Sequence, residues 1–525
     1  MDFSKILQSA KTEKEKFDLL HKMVFGEKII KCANEFLKHS AKMFGAKEAL
    51  ICKDESISYQ GLYDKSLAFT KKLIDSGVQK GDRVIVCIEN SIEFYIAYFG
   101  AWQTGAVITP VNTLLHEREL VYIFQDCSPK AIVVSESFVD IFEPEAKKYQ
   151  VLFFTTANIT NLQSAPVDLE PRCLPMDEMT ALLYTSGTTG FPKGVMLSSR
   201  NILTNVVQAV SKLDMTANDQ KIFAVLPLFH SFAQNTCVWS ALLCGVTVII
   251  VPKLDRSSIL YHLKYKPTIF LGVPALYGLI CLMRTAPLNS VKLFVSGGDI
   301  LPDKIRQFFG MVYGRKICNG YGLTEASPVV AAELDDQIFP SGVIGRALPG
   351  IECQIRDIDS GKLLDQCGRG LLWVKGDNIM LGYYNDKEAT EKVLQDGWLN
   401  TGDCAEIDKS GRITICGREK DLIIYRGLNI YPPEIENVLL SYPNVFSAAI
   451  LGKKHVDHGE VPIAFIVLRD KENEIETKLR KVCQENLASY KIPRQFIVVK
   501  ALPMTATGKI DKKKMRIEFE KELES

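Results

Sequence analysis

The chain has 525 residues, 47% of them hydrophobic, and a formal net charge of +1 at pH 7. That length and hydrophobic fraction suffice for large cores and for more than one domain, and the balanced charge gives no indication of nucleic acid as a partner. The 14 cysteines are scattered, with no Cys-x-x-Cys pair and no His/Cys cluster. This pattern predicts reduced, mostly buried thiols in a cytosolic protein rather than a disulfide framework or a zinc site.

Residues 1–45 are polar and rich in lysine, with Phe17, Leu20, Val24 and Phe25 spaced as the apolar face of a helix. Because the first 14 residues hold no long apolar run, a secretory signal is not expected. We expect this extension to form a helix beside the main body, and contact with a membrane surface is the alternative.

From Glu48 onward, short apolar runs alternate with segments whose apolar residues recur at helical spacing. The predicted elements are, in chain order, strands at 49–52 and 56–59, a helix from 58 to 74, a strand at 81–87, a helix from 91 to 101, a strand at 105–112 and a helix at 117–124. Strands alternating with helices predict a parallel sheet with helices on both faces. Tyr98 and Trp102 are expected in its core.

A loop of glycines and hydroxyls separates two apolar runs, 181–184 and 195–197, which predicts a strand, a loop and a returning strand. The loop residues are Thr185, Ser186, Gly187, Thr188, Thr189 and Gly190. Glycines let a ligand approach the backbone, and exposed N–H groups on such a turn form an anion-binding concavity. Lys193 adds a donor, so the loop suits a polyphosphate. It is not a Walker A loop, because it lacks the Gly-Lys-Ser/Thr ending; a polar surface hairpin is the alternative.

The whole stretch from Tyr184 to Val195 reads Tyr-Thr-Ser-Gly-Thr-Thr-Gly-Phe-Pro-Lys-Gly-Val. Every fixed position resembles the signature loop of the acyl-adenylate-forming superfamily, which includes acyl-CoA synthetases and peptide-synthetase adenylation domains. The resemblance implies that residues 185–190 and Lys193 bind the phosphates of ATP. Further motifs follow in family order, and together they cover the chain from about Glu48 to its end.

The uncharged segment 231–252 is long enough to suggest a transmembrane helix. Polar residues such as Gln234 and Asn235 interrupt it, and Gly245 separates a helix-like piece from the β-branched run 246–251. We therefore predict a buried helix that leads into a buried parallel strand.

Two motifs after the loop resemble the family's acid and adenine contacts. Leu226-Pro-Leu-Phe-His230 resembles the motif whose histidine lines the boundary between the carboxylate and acyl pockets, although Ala233 stands where many members have glycine. Without the resemblance, such a histidine is usually a core residue. Phe294-Val-Ser-Gly-Gly298 resembles the turn whose backbone flanks the adenine, with Asp299 in place of the usual alanine.

The heptapeptide 319–325 places an aromatic residue between two glycines, followed by a threonine and a glutamate. Such a ring can lie flat against a purine, and the two oxygen-bearing side chains suit a phosphate and its Mg²⁺. A plain strand and turn is the alternative interpretation. The resemblance implies adenine recognition by Asn319 with Gly320 beside it, stacking by Tyr321, a phosphate contact by Thr324 and magnesium binding by Glu325.

Asp403 ends a Gly-containing turn, where a carboxylate can accept hydrogen bonds from both hydroxyls of a ribose. In family members this aspartate binds the ribose hydroxyls of the nucleotide. The alternative is that Asp403 only closes an Asx turn. The segment from Gly417 resembles the family hinge between a large and a small domain, which implies that Arg418 contacts the nucleotide and that Lys420 is the pivot.

Beyond the hinge, a helix opened by prolines at 432–433, strands at 445–451 and 461–467, and a helix at 474–487 predict a small α+β domain. Near its end, Thr507-Gly508-Lys509 resembles the motif whose lysine reaches into the active site. An ammonium between a carboxylate nucleophile and an α-phosphate stabilises the charge of the transition state. A lone lysine in this charged tail would otherwise be solvated.

The resemblance implies an α/β fold with three parts: an N-terminal extension (1–45), an adenylation domain of helix-flanked, mostly parallel sheets with a β-rich subdomain (46–418), and a small mobile α+β domain (419–525). The implied reaction forms an acyl-adenylate from ATP, with Mg²⁺, and then transfers the acyl group to CoA. The implied catalytic residues are Lys509, His230, Thr324 and Glu325.

The motifs most resemble those of bacterial medium- and long-chain fatty acyl-CoA synthetases. The expected partners are a small carboxylic acid, ATP and CoA, without nucleic acid, and the expected location is cytoplasmic or peripheral at the inner face of a membrane. The alternatives are an acyl-AMP or acyl-carrier-protein ligase, an aryl-acid CoA ligase, and a membrane-associated fatty-acid uptake protein. The sequence leaves the oligomeric state open.

The apolar acyl tunnel is expected at Val273, Ala275, Gly278 and Val329, which would equally suit the core.

Overall fold

The computed structural model describes residues 10, 12–162, 169–185, 191–213, 215, 219–334, 339–365, 368–455, 457–504 and 509–524. Its strands are β1 (Glu48–Cys52), β2 (Glu55–Ser58), β3 (Arg83–Cys87), β4 (Val107–Pro110), β5 (Ala131–Val134), β6 (Leu152–Thr155), β7 (Met179–Thr185), β8 (Lys193–Ser198), β9 (Lys221–Ala224), β10 (Thr247–Ile250), β11 (Ile269–Gly272), β12 (Leu293–Ser296), β13 (Cys318–Gly322), β14 (Val329–Glu333), β15 (Val343–Ala347), β16 (Glu352–Arg356), β17 (Gly370–Lys375), β18 (Gly382–Tyr383), β19 (Leu394–Gln395), β20 (Trp398–Ile407), β21 (Ile413–Arg418), β22 (Ile423–Tyr425), β23 (Leu428–Ile430), β24 (Val445–His455), β25 (Gly459–Leu468) and β26 (Gln495–Val498).

The α-helices are α1 (Glu13–His21), α2 (Phe36–Phe44), α3 (Tyr59–Asp75), α4 (Ile92–Trp102), α5 (Glu117–Cys127), α6 (Val139–Tyr149), α7 (Thr156–Thr160), α8 (Ser199–Leu213), α9 (Ser231–Ala233), α10 (Ala241–Leu243), α11 (Arg256–His262), α12 (Pro274–Met283), α13 (Asp303–Tyr313), α14 (Lys387–Val393), α15 (Pro432–Ser441), α16 (Ile475–Asn486), α17 (Lys512–Glu518) and α18 (Glu520–Glu524). Local sequence explains several starts: the hydroxyls of Ser58 and Ser91 accept backbone N–H bonds and cap α3 and α4.

One sheet has seven strands in the order β18-β8-β7-β4-β3-β5-β6. The strands from β7 to β6 are parallel, and β8 returns antiparallel beside β7. Along β3, Val84 and Val86 belong to an apolar cluster that includes α4, whereas Ile85 and Cys87 belong to a second cluster with α5 and α6. Helices therefore cover both faces, which confirms the predicted architecture.

A larger sheet continues from parallel to antiparallel strands. Its parallel part runs β13-β12-β11-β9-β10-β1, with the antiparallel β2 at its edge. At the other end, β14 and β15 join it to β21, β20, β17 and β16. The predicted β-rich subdomain is thus hydrogen-bonded to the parallel sheet through the pairing of Ala331 with Ala347 and of Ala332 with Arg346.

The uncharged segment 231–252 forms helical turns up to Leu243, followed by β10, which pairs in parallel with β1 and β9. The prediction of a buried helix and strand is therefore confirmed. A Cβ at Gly245 would lie 2.7 Å from the Phe44 ring, and its φ is +70°, so glycine is required where helix gives way to strand. Among the described residues, no helix combines the length and apolar character needed to cross a bilayer.

The N-terminal segment is built into the main core. Leu20 and Val24 are fully buried, and α1 packs along α8, where Glu13 bonds to Lys212 at 2.8 Å. Asn34 donates to the carbonyl of Trp102 at 2.7 Å. The expected helix is present, and its apolar face covers the body of the protein.

Cys32 and Cys173 form a disulfide that spans 141 residues of sequence. The expectation of reduced thiols is therefore wrong at this pair. Their Cα atoms are 5.8 Å apart, within disulfide range, because the N-terminal segment packs against the stretch that leads into β7, as the Lys38–Glu170 ion pair also shows. No local spacing of cysteines signals this contact.

The last sheet contains β22 to β26, and its two longest strands, β24 and β25, pair antiparallel with β24 at the edge. Helices α15 and α16 cover one face, and α17 covers the other through Met515. The polypeptide passes from the larger sheet to this one within the single turn Glu419–Asp421, which follows β21 and precedes β22.

Candidate active site

The two legs of the Gly- and Thr-rich loop are the antiparallel strands β7 and β8, in which Thr185 pairs with Lys193 and Tyr184 with Gly194. This confirms the predicted strand and returning strand. Lys193 Nζ lies 3.6 Å from Asp386 Oδ2 and 5.1 Å from the centroid of the Tyr383 ring. Five of the predicted phosphate-binding residues lie outside the described residues: Ser186, Gly187, Thr188, Thr189 and Gly190.

The predicted adenine-binding motifs lie at the carboxyl ends of adjacent parallel strands, β12 and β13, which pair Ser296 with Asn319. Gly298 has φ +82°, and a Cβ on Gly297 would lie 3.3 Å from the carbonyl oxygen of Gly320, so the two motifs touch. Ligands of open α/β sheets bind at such strand ends. The amide of Asn319 donates to the carbonyl of Val343 at 2.7 Å.

Tyr321, Asp403 and Arg418 form a bonded group. The Tyr321 hydroxyl donates to Asp403 Oδ2 at 2.6 Å, and Arg418 Nε lies 3.1 Å from Asp403 Oδ1. The pairing of β20 with β21 sets Asp403 directly opposite Arg418. Burial and the charge of Asp403 raise the pKa of Tyr321 well above its ordinary value, so this phenol remains a donor.

Glu325 is held by a tyrosine that motif reasoning did not single out. Tyr383 donates its hydroxyl to Glu325 Oε1 at 2.8 Å, and Met380 N–H donates to the backbone carbonyl of Glu325. Burial, then the charge of Glu325, raises the pKa of Tyr383, which keeps the phenol protonated. The sequence signal for this residue is the Gly382-Tyr383-Tyr384 run, which on its own is typical of a turn in a β-rich part.

Glu325 and Thr324 have the donor chemistry that Mg²⁺ requires. Mg²⁺ prefers oxygen ligands and usually takes one or two carboxylates together with waters and substrate phosphates. Tyr383 occupies Oε1 of Glu325, which leaves Oε2 for a cation. Thr324 Oγ1 lies 3.0 Å from Ser231 Oγ. These residues therefore fit the predicted metal.

His230 precedes the short helix α9, and its Nδ1 accepts a bond from Phe232 N–H at 3.3 Å. Burial, and secondarily the charge of Lys509, lowers the pKa of His230 to about 4. At neutral pH the imidazole is therefore uncharged. The structure places it in the connection between β9 and α9.

Lys509 lies in the same region, although it comes from the far end of the chain. Burial lowers its pKa, and the nearby charges of Asp299 and Asp403 oppose that effect. The charges of Arg418 and Lys420 add to the lowering. Asp299, noted in the sequence only as a departure from the family motif, is thus the carboxylate with the largest influence on this lysine.

The apolar residues beside this region are Phe232 and Val273. A Cβ on Gly297 would lie 3.1 Å from the Phe232 ring, and one on Gly298 would lie 3.6 Å from Val273. Of the other residues expected to line a tunnel, Ala275 is exposed, whereas Gly278 and Val329 are half-buried. Phe232 was not among the predicted residues, since a single aromatic beside His230 gave no distinct signal.

Comparison with known sequences and structures gives consistent matches. The AMP-binding enzyme profile matches residues 37–384, and the AMP-binding enzyme C-terminal domain profile matches residues 434–509. A long-chain-fatty-acid–CoA ligase from Bacillus subtilis is 32% identical, with 95% of this chain and 96% of that protein covered. A 4-coumarate–CoA ligase from Petroselinum crispum is also 32% identical, with 90% and 91% covered.

Among solved structures, the O-succinylbenzoate coenzyme A synthetase of Bacillus subtilis in complex with ATP and a magnesium ion superposes with a TM-score of 0.81. It is 27% identical and covers 91% of this chain and 98% of its own. ATP, Mg²⁺ and CoA are used by the ligases of this family. The chain therefore belongs to the AMP-binding enzyme family and is an AMP-forming acid–thiol ligase of the acyl-CoA synthetase type.

Proposed function

We propose that the enzyme joins a medium- or long-chain fatty acid to CoA in two steps. In the first, a carboxylate oxygen of the acid attacks the α-phosphorus of ATP, the bond from that phosphorus to the bridging oxygen breaks, and pyrophosphate leaves. In the second, the sulfur of CoA attacks the acyl carbonyl carbon, the thiol proton is lost and AMP leaves. Such phosphoryl chemistry relies mainly on positioning and on stabilisation of charge.

The observation that carries this proposal is the position of Lys509 among His230, Asp299, Asp403 and Arg418. A buried ammonium at this place can stabilise the negative charge that develops between the carboxylate and the α-phosphate. The neutral imidazole of His230 beside it offers hydrogen bonding without a second positive charge.

The nucleotide would lie against β13 and β20. Tyr321 would contribute its ring face to the adenine, Asn319 and Gly298 would flank the base, and Asp403 would accept the ribose hydroxyls in exchange for its bond from Tyr321. Thr185, Lys193 and the loop between them would contact the phosphates. Glu325 would hold Mg²⁺, which supplies positive charge at the phosphates when bound.

We propose that residues 46–418 and 419–525 act as two domains that rotate about Lys420, with residues 1–45 as part of the first. The change from the larger sheet to the five-stranded sheet within Glu419–Asp421 supports this hinge. Rotation would withdraw Lys509 after adenylation and open a path for the thiol of CoA. A cytoplasmic location, with or without peripheral contact at the inner face of a membrane, belongs to the same proposal.

The fatty acid is the proposed substrate because Phe232 and Val273 place apolar groups beside the Gly297-Gly298 turn, and because a relative at 32% identity is a long-chain-fatty-acid–CoA ligase. A 4-coumarate–CoA ligase at the same identity supports an aryl acid as the second candidate. Transfer to a carrier protein and fatty-acid uptake across a membrane are the remaining alternatives.

The test is AMP release from ATP and Mg²⁺ across acids from acetate to oleate, with benzoate and 4-coumarate, in the presence and absence of CoA. CoA-dependent release that peaks at a medium or long fatty chain is the expected result. A maximum with the aryl acids would replace the fatty substrate by the second candidate. Pyrophosphate exchange without stimulation by CoA would indicate another acceptor, and no turnover with any acid would contradict the proposed chemistry.

A further inference from the structure

A lysine of the larger part of the molecule binds the turn between a helix and a strand of the small part. Lys304 lies on α13, and its ammonium donates to the backbone carbonyls of Val445 at 2.9 Å, Tyr442 at 3.2 Å and Pro443 at 3.4 Å. Tyr442 and Pro443 lie in the turn that follows α15, and Val445 is the first residue of β24. The contact therefore joins the two parts that the proposed hinge separates.

The chemistry of this contact favours a cation. Backbone carbonyl oxygens need hydrogen-bond donors when they are taken from water, and a lysine ammonium has three donors, one for each carbonyl of Tyr442, Pro443 and Val445. The ammonium is partly buried against the small part, and burial, then the charge of Arg469, lowers the pKa of Lys304. Because the acceptors of Lys304 are backbone atoms of the opposite part, its bonds exist only in the arrangement of the two parts that the structure shows. This is called the seated arrangement.

The same seating brings Lys509 into the active site, far along the chain from the turn that Lys304 holds. We infer that Lys304 is a latch that stabilises the adenylate-forming arrangement and must release before the acyl group is transferred to CoA. The inference rests on the proposed two-step function with rotation about Lys420. It makes Lys304 a positioning residue, since it acts on the reaction through Lys509.

The size of the effect follows from a two-state equilibrium. Hydrogen bonds that involve a charged donor stabilise by an amount equivalent to about tenfold in an equilibrium constant. If rotation is faster than chemistry, the adenylation rate follows the seated fraction and the thioester-forming rate follows the rotated fraction. The ratio of the thioester-forming rate to the adenylation rate then changes by the same factor as the equilibrium constant, whichever arrangement predominates. Lys304→Ala should therefore raise the ratio of thioester formation to adenylation about tenfold.

The first test measures seating without catalysis. Acetylation of Lys509 by an N-hydroxysuccinimide ester, followed by mass spectrometry, should be about tenfold faster in Lys304→Ala than in the wild type, because rotation exposes this amine. Lys304→Arg should stay near the wild-type rate, since it retains a cation. Gln307→Ala, on the exposed face of the same helix, is the matched control and should behave as the wild type.

Lys212, whose side chain is only 18% exposed and is paired with Glu13, reports general loosening. Unchanged acetylation of Lys509 in Lys304→Ala, or an equal rise at Lys212, would overturn the latch.

The second test measures the two half-reactions separately, as pyrophosphate exchange and as thioester formation from a preformed acyl-adenylate. A tenfold rise in their ratio supports the latch, whereas an equal loss in both rates would show that Lys304 only supports the fold and would overturn it. If the wild type makes no adenylate from any acid, the proposed function fails, and the acetylation experiment still decides whether Lys304 holds the two parts together.

Discussion

The two halves of the active site are positioned in different ways. Asp403 and Arg418 face each other because β20 and β21 pair in that register, and Tyr321 reaches Asp403 from β13 of the same sheet. Lys509, by contrast, belongs to no strand of that sheet and comes from the C-terminal part of the chain, where the charges of Asp299 and Asp403 raise its pKa against the effect of burial. The first half is fixed whenever the sheet is folded, whereas the second depends on how the small sheet is seated.

This difference suits a ligase with two steps in one site. The nucleotide must stay bound through both steps, so its contacts belong on a rigid sheet. In the proposed mechanism the lysine is needed only in the first step, so it suits a part of the chain that can rotate, although that part also packs on the larger one through Tyr431. Substitutions can distinguish side chains that take part in the reaction from side chains that only stabilise the sheet, and the largest effect is expected at Lys509.

Lys509→Ala should lower adenylation by about two to three orders of magnitude, because a preorganised charge at the reacting centre typically contributes that much. Thioester formation from preformed acyl-adenylate should change by less than about threefold, because the proposed rotation withdraws the lysine before that step. Pyrophosphate exchange and single-turnover thioester formation measure the two rates. Adenylation at the wild-type rate would remove Lys509 from the catalytic residues.

Tyr383→Phe removes the hydroxyl that orients Glu325 and should raise the Mg²⁺ concentration needed for half-maximal adenylation about tenfold or more, as is typical for groups that orient a metal ligand. Binding of ATP with Mg²⁺, measured by calorimetry, should weaken similarly, whereas binding of ATP in EDTA should not. Tyr384→Phe is the matched control, because the Tyr384 backbone N–H, not its hydroxyl, bonds to Gly194. Equal losses in both variants would contradict the assignment.

Asp403→Asn keeps the shape of the side chain but removes the charge that pairs with Arg418. We expect the KM for ATP to rise about tenfold with a smaller change in kcat, because hydrogen bonds to a charged group contribute roughly 1.5–3 kcal/mol. Initial-rate kinetics at saturating acid and CoA give both constants. A fall in kcat at unchanged KM would instead place Asp403 in the chemical step.

The smallest expected effect concerns stability at acid pH. Since the pKa of His230 is about 4 in the folded protein and 6.5 is its ordinary value, the unfolded state takes up the proton first as pH falls. The free energy of unfolding should therefore decrease between pH 6.5 and 4, by about 2 kcal/mol at pH 4.5 from this group.

Urea unfolding at pH 7 and pH 4.5 measures the decrease, which should be smaller by that amount in His230→Gln. His455→Gln, at an exposed histidine, is the control. An identical pH dependence in His230→Gln and the wild type would contradict the lowered pKa.

The sequence predicted most of the fold because its signals are local. Hydroxyl caps at Ser58 and Ser91, the apolar run of β4 and the glycine break at Gly245 each act within a few residues, and each predicts the element that forms. The motifs also singled out Tyr321, Asp403 and Arg418, and the structure brings these three together because strand pairing places consecutive motifs at one edge of the sheet. Their roles toward the nucleotide stay predictions.

The contacts that escaped prediction join distant segments or involve the backbone. Cys32 and Cys173 are 141 residues apart, and neither lies in a recognisable spacing. Tyr383 donates its hydroxyl to Glu325. Any buried tyrosine carries such a hydroxyl, so the residue type alone does not predict this partner. Lys304 binds carbonyl oxygens, which every residue supplies, so the sequence of its partner carries no signal.

The burial of the N-terminal segment has a practical consequence for anyone who shortens this protein. A fragment that begins at residue 46 would lose the Asn34 bond to the Trp102 carbonyl and the bond between Ala33 N–H and the Ser199 hydroxyl, and it would uncover the apolar surface beneath Phe36 and Leu37. Exposed apolar surface of this kind promotes aggregation. Boundaries drawn from the matched family profile, at residue 37, would therefore trim away part of the core, and expression trials should retain the chain from α1 onward.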